Sequence, residues 1–254
     1  MKYLNFFLVC LSCFGFKPTE RNLVWSDEFN YEGIPDPKKW NYETGNGCPK
    51  NCGWGNNETQ IYSSDKSNVF VEKGLLVITA VKKDNTWTSG KLTTKAKADF
   101  TYGRIEFSAK LPAGKGGWPA LWMLGDSFSS AGWPACGEID VMEHVGRDLG
   151  IVQSVIHSPS SYGNTVNLGR TPVKTFDKEF HIYAVDWKKD RIEFYVDDIN
   201  FYTYKPTEKN DKTWPFDKPF YIIMNIAVGG NLGGPTDPAL SQIKMEVDYV
   251  RVFQ

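Results

Sequence analysis

Cys136-Gly137-Glu138-Ile139-Asp140-Val141-Met142-Glu143-His144 packs three carboxylates into six residues of a stretch otherwise apolar enough to be a core strand. Strand side chains alternate between faces, so Glu138 and Asp140 share one face and a third acid belongs at position 142. It comes one residue late. A β-bulge sets two residues against one on the partner strand. It would return Glu143 to the face of the other acids and turn Val141 and Met142 toward a core. The blander alternative is a salt-bridged or solvated strand face, which suits a lone pair of acids better than this triplet.

Outward from this stretch the chain reads as short strands separated by turn residues. Val69-Phe70-Val71 leads through Lys73-Gly74 into Leu75-Leu76-Val77-Ile78, a hairpin whose second arm is apolar throughout, as a strand buried on both faces would be. Gly103 to Leu111 alternates, with Ile105, Phe107, Ala109 and Leu111 on one face. Further strands are expected at 151–157, 180–187, 191–196, 220–228 and 245–253, with hairpin turns at Lys188-Lys189-Asp190 and Asp197 to Asn200. No long amphipathic helix competes. The longer connections, 30–62, 125–135 and 158–175, are rich in Gly, Pro, Asn and Ser, the kind of loop that carries binding residues on a rigid sheet. This is an all-β chain: a sandwich of two antiparallel sheets, curved so that one offers a concave groove suited to a polymer.

The 254 residues fit one domain of this class. Lys and Arg number 29 against 30 Asp and Glu, without a basic run, so neither nucleic acid nor an anionic membrane is an expected partner. Nine tryptophans are present, several beside Gly or Pro in expected loops rather than periodic runs. Residues 1–21 read as an export segment: Lys2 is followed by an apolar run from Leu4 to Phe16, too short to span a bilayer comfortably. Leu11-Ser12-Cys13 loosely matches a lipoprotein-type cleavage site, so the mature domain, 22–254, is either released or tethered through Cys13. Cys48 and Cys52 could close a small disulfide loop in an oxidising compartment, and Cys136 reads as a buried packing residue.

Paired acids flanking a scissile bond are the equipment of glycoside hydrolysis, one attacking or activating water and the other protonating the leaving oxygen. With the bulge, Glu138 and Glu143 stand roughly 13 Å apart at their α-carbons. Curvature and leaning side chains can shorten the carboxyl gap toward the roughly 5 to 5.5 Å of a retaining mechanism. Asp140 between them would couple their titrations. Calcium on these acids is the weaker alternative, because a strand aims few carbonyls into its own side-chain cluster. Zinc is weaker still, since His144, His157 and His181 form no metal-spaced pair. Trp118, Trp122 and Trp133 flank the acids, and indole faces suit the CH face of a pyranose. His157 ends a neighbouring strand, as either a core histidine or a hydrogen-bonding partner of the site.

Glu138-Ile139-Asp140-Val141-Met142-Glu143 resembles the Glu-x-Asp-x-x-Glu signature of glycoside hydrolase family 16. The resemblance extends over Trp25 to Phe29, Trp54 to Glu58, Tyr102-Gly103-Arg104, Trp118 to Leu124 and Asn225 to Asn231. Within the family the chain is most similar to laminarinases, endo-1,3-β-glucanases whose signature carries the bulge residue. The resemblance implies a β-jelly roll with a concave cleft and a retaining double displacement, with Glu138 as nucleophile, Glu143 as acid/base and Asp140 assisting. It also implies sugar subsites shaped by Trp118, Trp122 and Trp133, with Asn56 and Arg104 hydrogen-bonding glucose units and His157 beside the catalytic strand. No cofactor is implied for catalysis, but a structural calcium at Glu28, Gly74 and Asp248 is. The expected partner is a β-glucan, met by a monomer that is secreted or surface-exposed. The alternatives are a mixed-linkage glucanase, a galactan hydrolase such as an agarase, and a non-catalytic glucan-binding relative.

Overall fold

A computed structural model describes residues 21–254, so the expected export segment apart from Arg21, and Cys13 with it, lies outside the described residues. The strands, in chain order, are β1 (Leu23–Asp27), β2 (Asn41–Tyr42), β3 (Ile61–Tyr62), β4 (Val69–Glu72), β5 (Leu75–Lys83), β6 (Thr86–Ser89), β7 (Lys91–Thr93), β8 (Gly103–Lys110) and β9 (Gly117–Gly125). They continue as β10 (Glu138–His144), β11 (Ile151–His157), β12 (Leu168–Pro172), β13 (His181–Trp187), β14 (Ile192–Val196), β15 (Ile199–Tyr204), β16 (Phe220–Val228) and β17 (Gln242–Phe253).

They form a β-jelly-roll sandwich. One sheet runs β15-β14-β13-β8-β17-β5-β6-β3, with β1 on β17 and β4 on β5; the other runs β12-β11-β10-β9-β16-β7-β2. Pairing is antiparallel apart from the short β3–β6 contact. Alternation builds the core: Ile105, Phe107 and Ala109 of β8 face Leu121 and Met123 of β9, Ile139 of β10 and Ile222, Met224 and Ile226 of β16 across the interior. Burial of these side chains at about 25 cal/mol per Å² of apolar surface is the main force joining the sheets.

Two expectations are corrected here. β5 is not buried on both faces: Leu76, Ile78 and Ala80 enter the core, while Leu75 and Val77 lie half-buried on the outer side. Trp118, between Gly117 and Pro119, is not in a loop but, with Trp122, on β9, a central strand that carries Pro119 in its interior. The hairpin turns follow the sequence. Lys73-Gly74 and Asp197-Asp198 each place two successive residues at positive φ, the geometry that matches the twist of the flanking strands.

Candidate active site

The bulge lies where the spacing demands it. Asp140 pairs with Trp122 on β9, Met142 with Leu121 and Glu143 with Ala120, so Val141 is the extra residue. On the other side Asp140 pairs with Val155 and Glu143 with Gln153. Ser154 Oγ donates to the Val141 carbonyl at 2.6 Å, giving a partner to a group the interrupted ladder would strand. Val141 and Met142 both enter the core, and Glu138, Asp140 and Glu143 share the opposite face. Gly137 permits the entry to β10: its φ is +79°, and a Cβ there would sit 2.9 Å from the Phe220 ring.

Register carries this face across the sheet. The Glu143 row reads Arg170, Gln153, Glu143, Ala120, Asn225, Lys91 from β12 to β7, and the next row sets Asp140 beside Trp122. Trp118 Nε1 donates to Glu143 Oε1 at 2.8 Å, and Gln153 Nε2 donates to Glu143 Oε2 at 3.0 Å. His157 Nε2 stands 3.6 Å from Glu138 and 3.5 Å from Asp140, too far for good hydrogen bonds. Trp133, in the loop before β10, lies 5.7 Å from the His157 ring and edge-on to Tyr162 at 5.3 Å. Trp122 Nε1 donates to Asn225 Oδ1 at 2.7 Å, and Asn225 donates onward to the Tyr62 hydroxyl at 2.9 Å. Asn56 reaches the same network by donating to Glu58 Oε1 at 3.0 Å.

Burial pushes all three acids toward the protonated form. Glu138 rises to about 8, first through burial and then through the charge of Glu143, against the indole N–H of Trp133 and the charge of Lys91. Asp140 rises well above the usual carboxylate range through burial and both glutamates. Its Oδ2 is buried without a hydrogen-bond partner, so a proton rests there most readily. Glu143 rises too, but hydrogen bonds from Gln153 and Trp118 and the charge of Arg170 oppose the burial. Burial drives His157 down to about 4, leaving a neutral ring between Glu138 and Asp140 at neutral pH.

Arg104 does not join this group. It sits on β8, in the other sheet, pointing away from the core; there it pairs with Glu106 and Asp198 and lies over Tyr195. A cation the acids do have nearby is Lys91, which the sequence reading missed. It is 7% exposed and ion-paired to Glu43 at 2.7 Å. Its ammonium lies 4.2, 5.2 and 5.7 Å from the ring centres of Trp54, Trp122 and Tyr62. The Lys91-Asn225-Ala120-Glu143 row exists only once β7, β16, β9 and β10 are stacked in that order, which no local pattern announces. Tyr162 was missed because it lies in the loop between β11 and β12, whose return to Trp133 has no local signal.

Cys48 and Cys52 form the disulfide, and Cys136 is a buried free thiol pushed up to about 12, in keeping with a packing role. The three places implied for calcium converge on the β17 bulge at Asp248: Val247 pairs with Leu76, just after Gly74, and Val250 pairs with Asp27, just before Glu28. The Glu28 carboxylate is taken up by Arg251 at 2.7 and 3.0 Å, whereas Asp248 accepts only a long bond from Ser108 at 3.3 Å. Of the two carboxylates there, Asp248 is thus the one not taken up by a cation.

A sandwich whose outer sheet face sets coupled carboxylates among indoles defines a carbohydrate-cleaving hydrolase of the β-sandwich class. Comparison with known proteins narrows this. The profile of glycosyl hydrolases family 16 matches residues 54–251. A β-glucanase of Rhodothermus marinus is 43% identical over 248 residues, covering 91% of this chain and 85% of that protein. Glucan endo-1,3-beta-glucosidase A1 of Niallia circulans is 43% identical over 258 residues, covering 92% of this chain and 38% of that protein. The crystal structure of a laminarinase from Flavobacterium sp. UMI-01 superposes with a TM-score of 0.88 at 49% identity, covering 92% of this chain and all of that one (100%). The chain belongs to glycosyl hydrolase family 16.

Proposed function

We propose that the protein hydrolyses internal 1,3-β-glucosidic bonds of laminarin-type glucans with retention, using Glu138 as nucleophile and Glu143 as acid/base. The observation that carries this is the bulge, which returns Glu143 to the face of Glu138 and Asp140. The activities named for the relatives, β-glucanase, endo-1,3-β-glucosidase and laminarinase, supply the substrate class.

In the first half-reaction the Glu138 carboxylate bonds to the anomeric carbon as the glycosidic C–O bond breaks, and the Glu143 proton passes to the leaving oxygen. In the second, Glu143 takes a proton from water as that water's oxygen bonds to the anomeric carbon and Glu138 departs. A protonated Asp140 no longer repels a charged Glu138. In the free protein the donors on Glu143 favour its anion over that of Glu138, the reverse of what attack needs. The positive charge developing on the sugar ring beside Glu138 corrects this by stabilising its anion. Bond cleavage in this family needs no cofactor.

On one side of the acids Trp122, Lys91, Trp54 and Asn56 would hold sugar units; on the other, Trp133 and Tyr162. Lys91→Met should then raise KM about tenfold or more with a smaller change in kcat, and an unchanged KM would remove Lys91 from the subsites. Calcium would be held by carbonyls of Glu28 and Gly74 with the Asp248 carboxylate. It should raise the melting temperature of the wild type but not of Asp248→Ala; equal responses would dismiss the site. Among the described residues no helix is long and apolar enough to cross a membrane. The Cys48–Cys52 bridge supports export to an oxidising compartment, where the protein would act as a monomer on polysaccharide. Digestion of laminarin, curdlan, lichenan and agarose tests the substrate reading: oligosaccharides of several lengths should appear first from the 1,3-linked polymers. Preferential release from agarose would overturn it.

A further inference from the structure

The Glu143 row continues across the next two strands, where β-pairing sets Gln153 opposite Glu143 and Arg170 opposite Gln153. Arg170 Nε donates to Gln153 Oε1 at 3.1 Å, and Gln153 Nε2 donates to Glu143 Oε2 at 3.0 Å. A guanidinium has no acceptor, so the amide carbonyl must face Arg170 and the amide NH2 must face Glu143. Without Arg170 the amide could turn over and present its carbonyl to Glu143. That carbonyl repels a carboxylate and accepts a hydrogen bond from a carboxylic acid. The guanidinium therefore decides whether Glu143 meets a donor or an acceptor.

We propose that Arg170 is a positioning residue for the acid/base: by locking the Gln153 amide it keeps a donor on Glu143 and favours the deprotonated form that must take a proton from water in the second half-reaction. The proposal rests on reading Glu143 as the acid/base.

The charges around Glu143 are few. Glu138 and Asp140 share its strand and are raised by its charge, while His157 of β11 is neutral. Lys91 of β7 is ion-paired to Glu43, and its charge also acts on Glu58 and Glu138. Trp118 of β9 donates to the other carboxylate oxygen. Asp148, in the turn between β10 and β11, stands 3.9 Å from Arg170 and moderates its charge, with Arg147 4.0 Å beyond. Arg170 is half-exposed on the edge strand β12, so its replacement leaves the core untouched.

The test is a carboxyl ¹³C titration of Glu143, made in a Glu138→Gln background and assigned by the signal that Glu143→Gln removes. Arg170→Met should move the midpoint up by about half to one pH unit, since a lost donor and a lost cation both favour the proton. Arg170→Lys keeps the cation and remains donor-only, so it should show less than half of that rise; Arg170→Gln, which loses the cation and can accept as well as donate, serves in place of Arg170→Met if the latter fails to fold. In a Gln153→Leu background Arg170→Met should add only the lost cation's share, less than half of the rise. An unmoved midpoint, or a rise of equal size without Gln153, would overturn the proposal. If instead Glu143→Gln still hydrolysed laminarin, the functional reading would fail, whatever the titration showed.

Discussion

The two sheets each turn a row of acids outward, and the rows behave in opposite ways. On the longer sheet and its edge three such acids have met cations: Glu28 meets Arg251, Glu193 meets Lys188 and Arg191, and Glu246 meets Lys110 and Lys244. All three are held below the usual carboxylate range. On the shorter sheet Glu138, Asp140 and Glu143 sit among indoles and a neutral histidine, and burial raises all three. The same residue types on the same kind of strand are thus a solvated surface in one place and a reservoir of displaced protons in the other. The difference lies in what the neighbouring strands supply.

The largest expected effect breaks this symmetry directly. Glu138→Ala should cost laminarin hydrolysis on the order of 10⁴-fold or more, as loss of a nucleophile does, while Glu246→Ala on the other sheet should stay within about threefold. Initial rates on laminarin at matched folded protein decide it. Comparable losses in both variants would mean that the contrast between the faces has no bearing on catalysis.

A smaller effect sharpens the contrast. On an aryl β-glucoside with a good leaving group, Glu143→Gln needs no acid, so its rate of glycosylation should rise with pH along a single limb as Glu138 ionises. Removing the charge of Glu143 favours that ionisation, so the limb should lie below the value of about 8 that Glu138 shows beside its charged neighbour. A limb that falls with rising pH would show that Glu138 does not act as the anion.

How much of this was legible before folding follows from the same contrast. The acid triplet and its bulge were readable because a period of two makes a late residue conspicuous, and the register of β10 bears it out at Val141. β8 was readable as a half-buried strand, yet Arg104 was assigned to the wrong surface. Alternation says which residues share a face, not which sheet owns the strand. β9 was hidden by Pro119, a residue that argues against a central strand, and with it went the row that joins Lys91 to Glu143. Residues whose meaning is set by strand order, such as Lys91, Gln153 and Arg170, carry no local signal.

The smallest effect is in stability, and there the two faces should differ in sign. Glu28 is held low by Arg251, so its contribution is present above the unfolded value of about 4.5 and lost as pH falls through the folded value. The pair is half-exposed, which limits it to under about 1 kcal/mol, or a few degrees of melting temperature. Glu28→Gln should therefore melt slightly lower than the wild type at pH 8, and the gap should narrow below pH 4.5 and close only once the pH is under the folded value. Glu138 is the reverse case. Its folded value is raised to about 8, so ionising it opposes folding, and the penalty grows as pH climbs from about 4.5 to about 8. Glu138→Gln removes that charge and should melt higher than the wild type at pH 8, by an amount on the order of 1 kcal/mol or more that fades near pH 4. Melting curves of the two variants at these pH values place them on opposite sides of the wild type. If Glu138→Gln melted lower at pH 8, the carboxylate would be stabilised where it stands, and the view of the shorter sheet as a face of unpaired, strained charge would have to be abandoned.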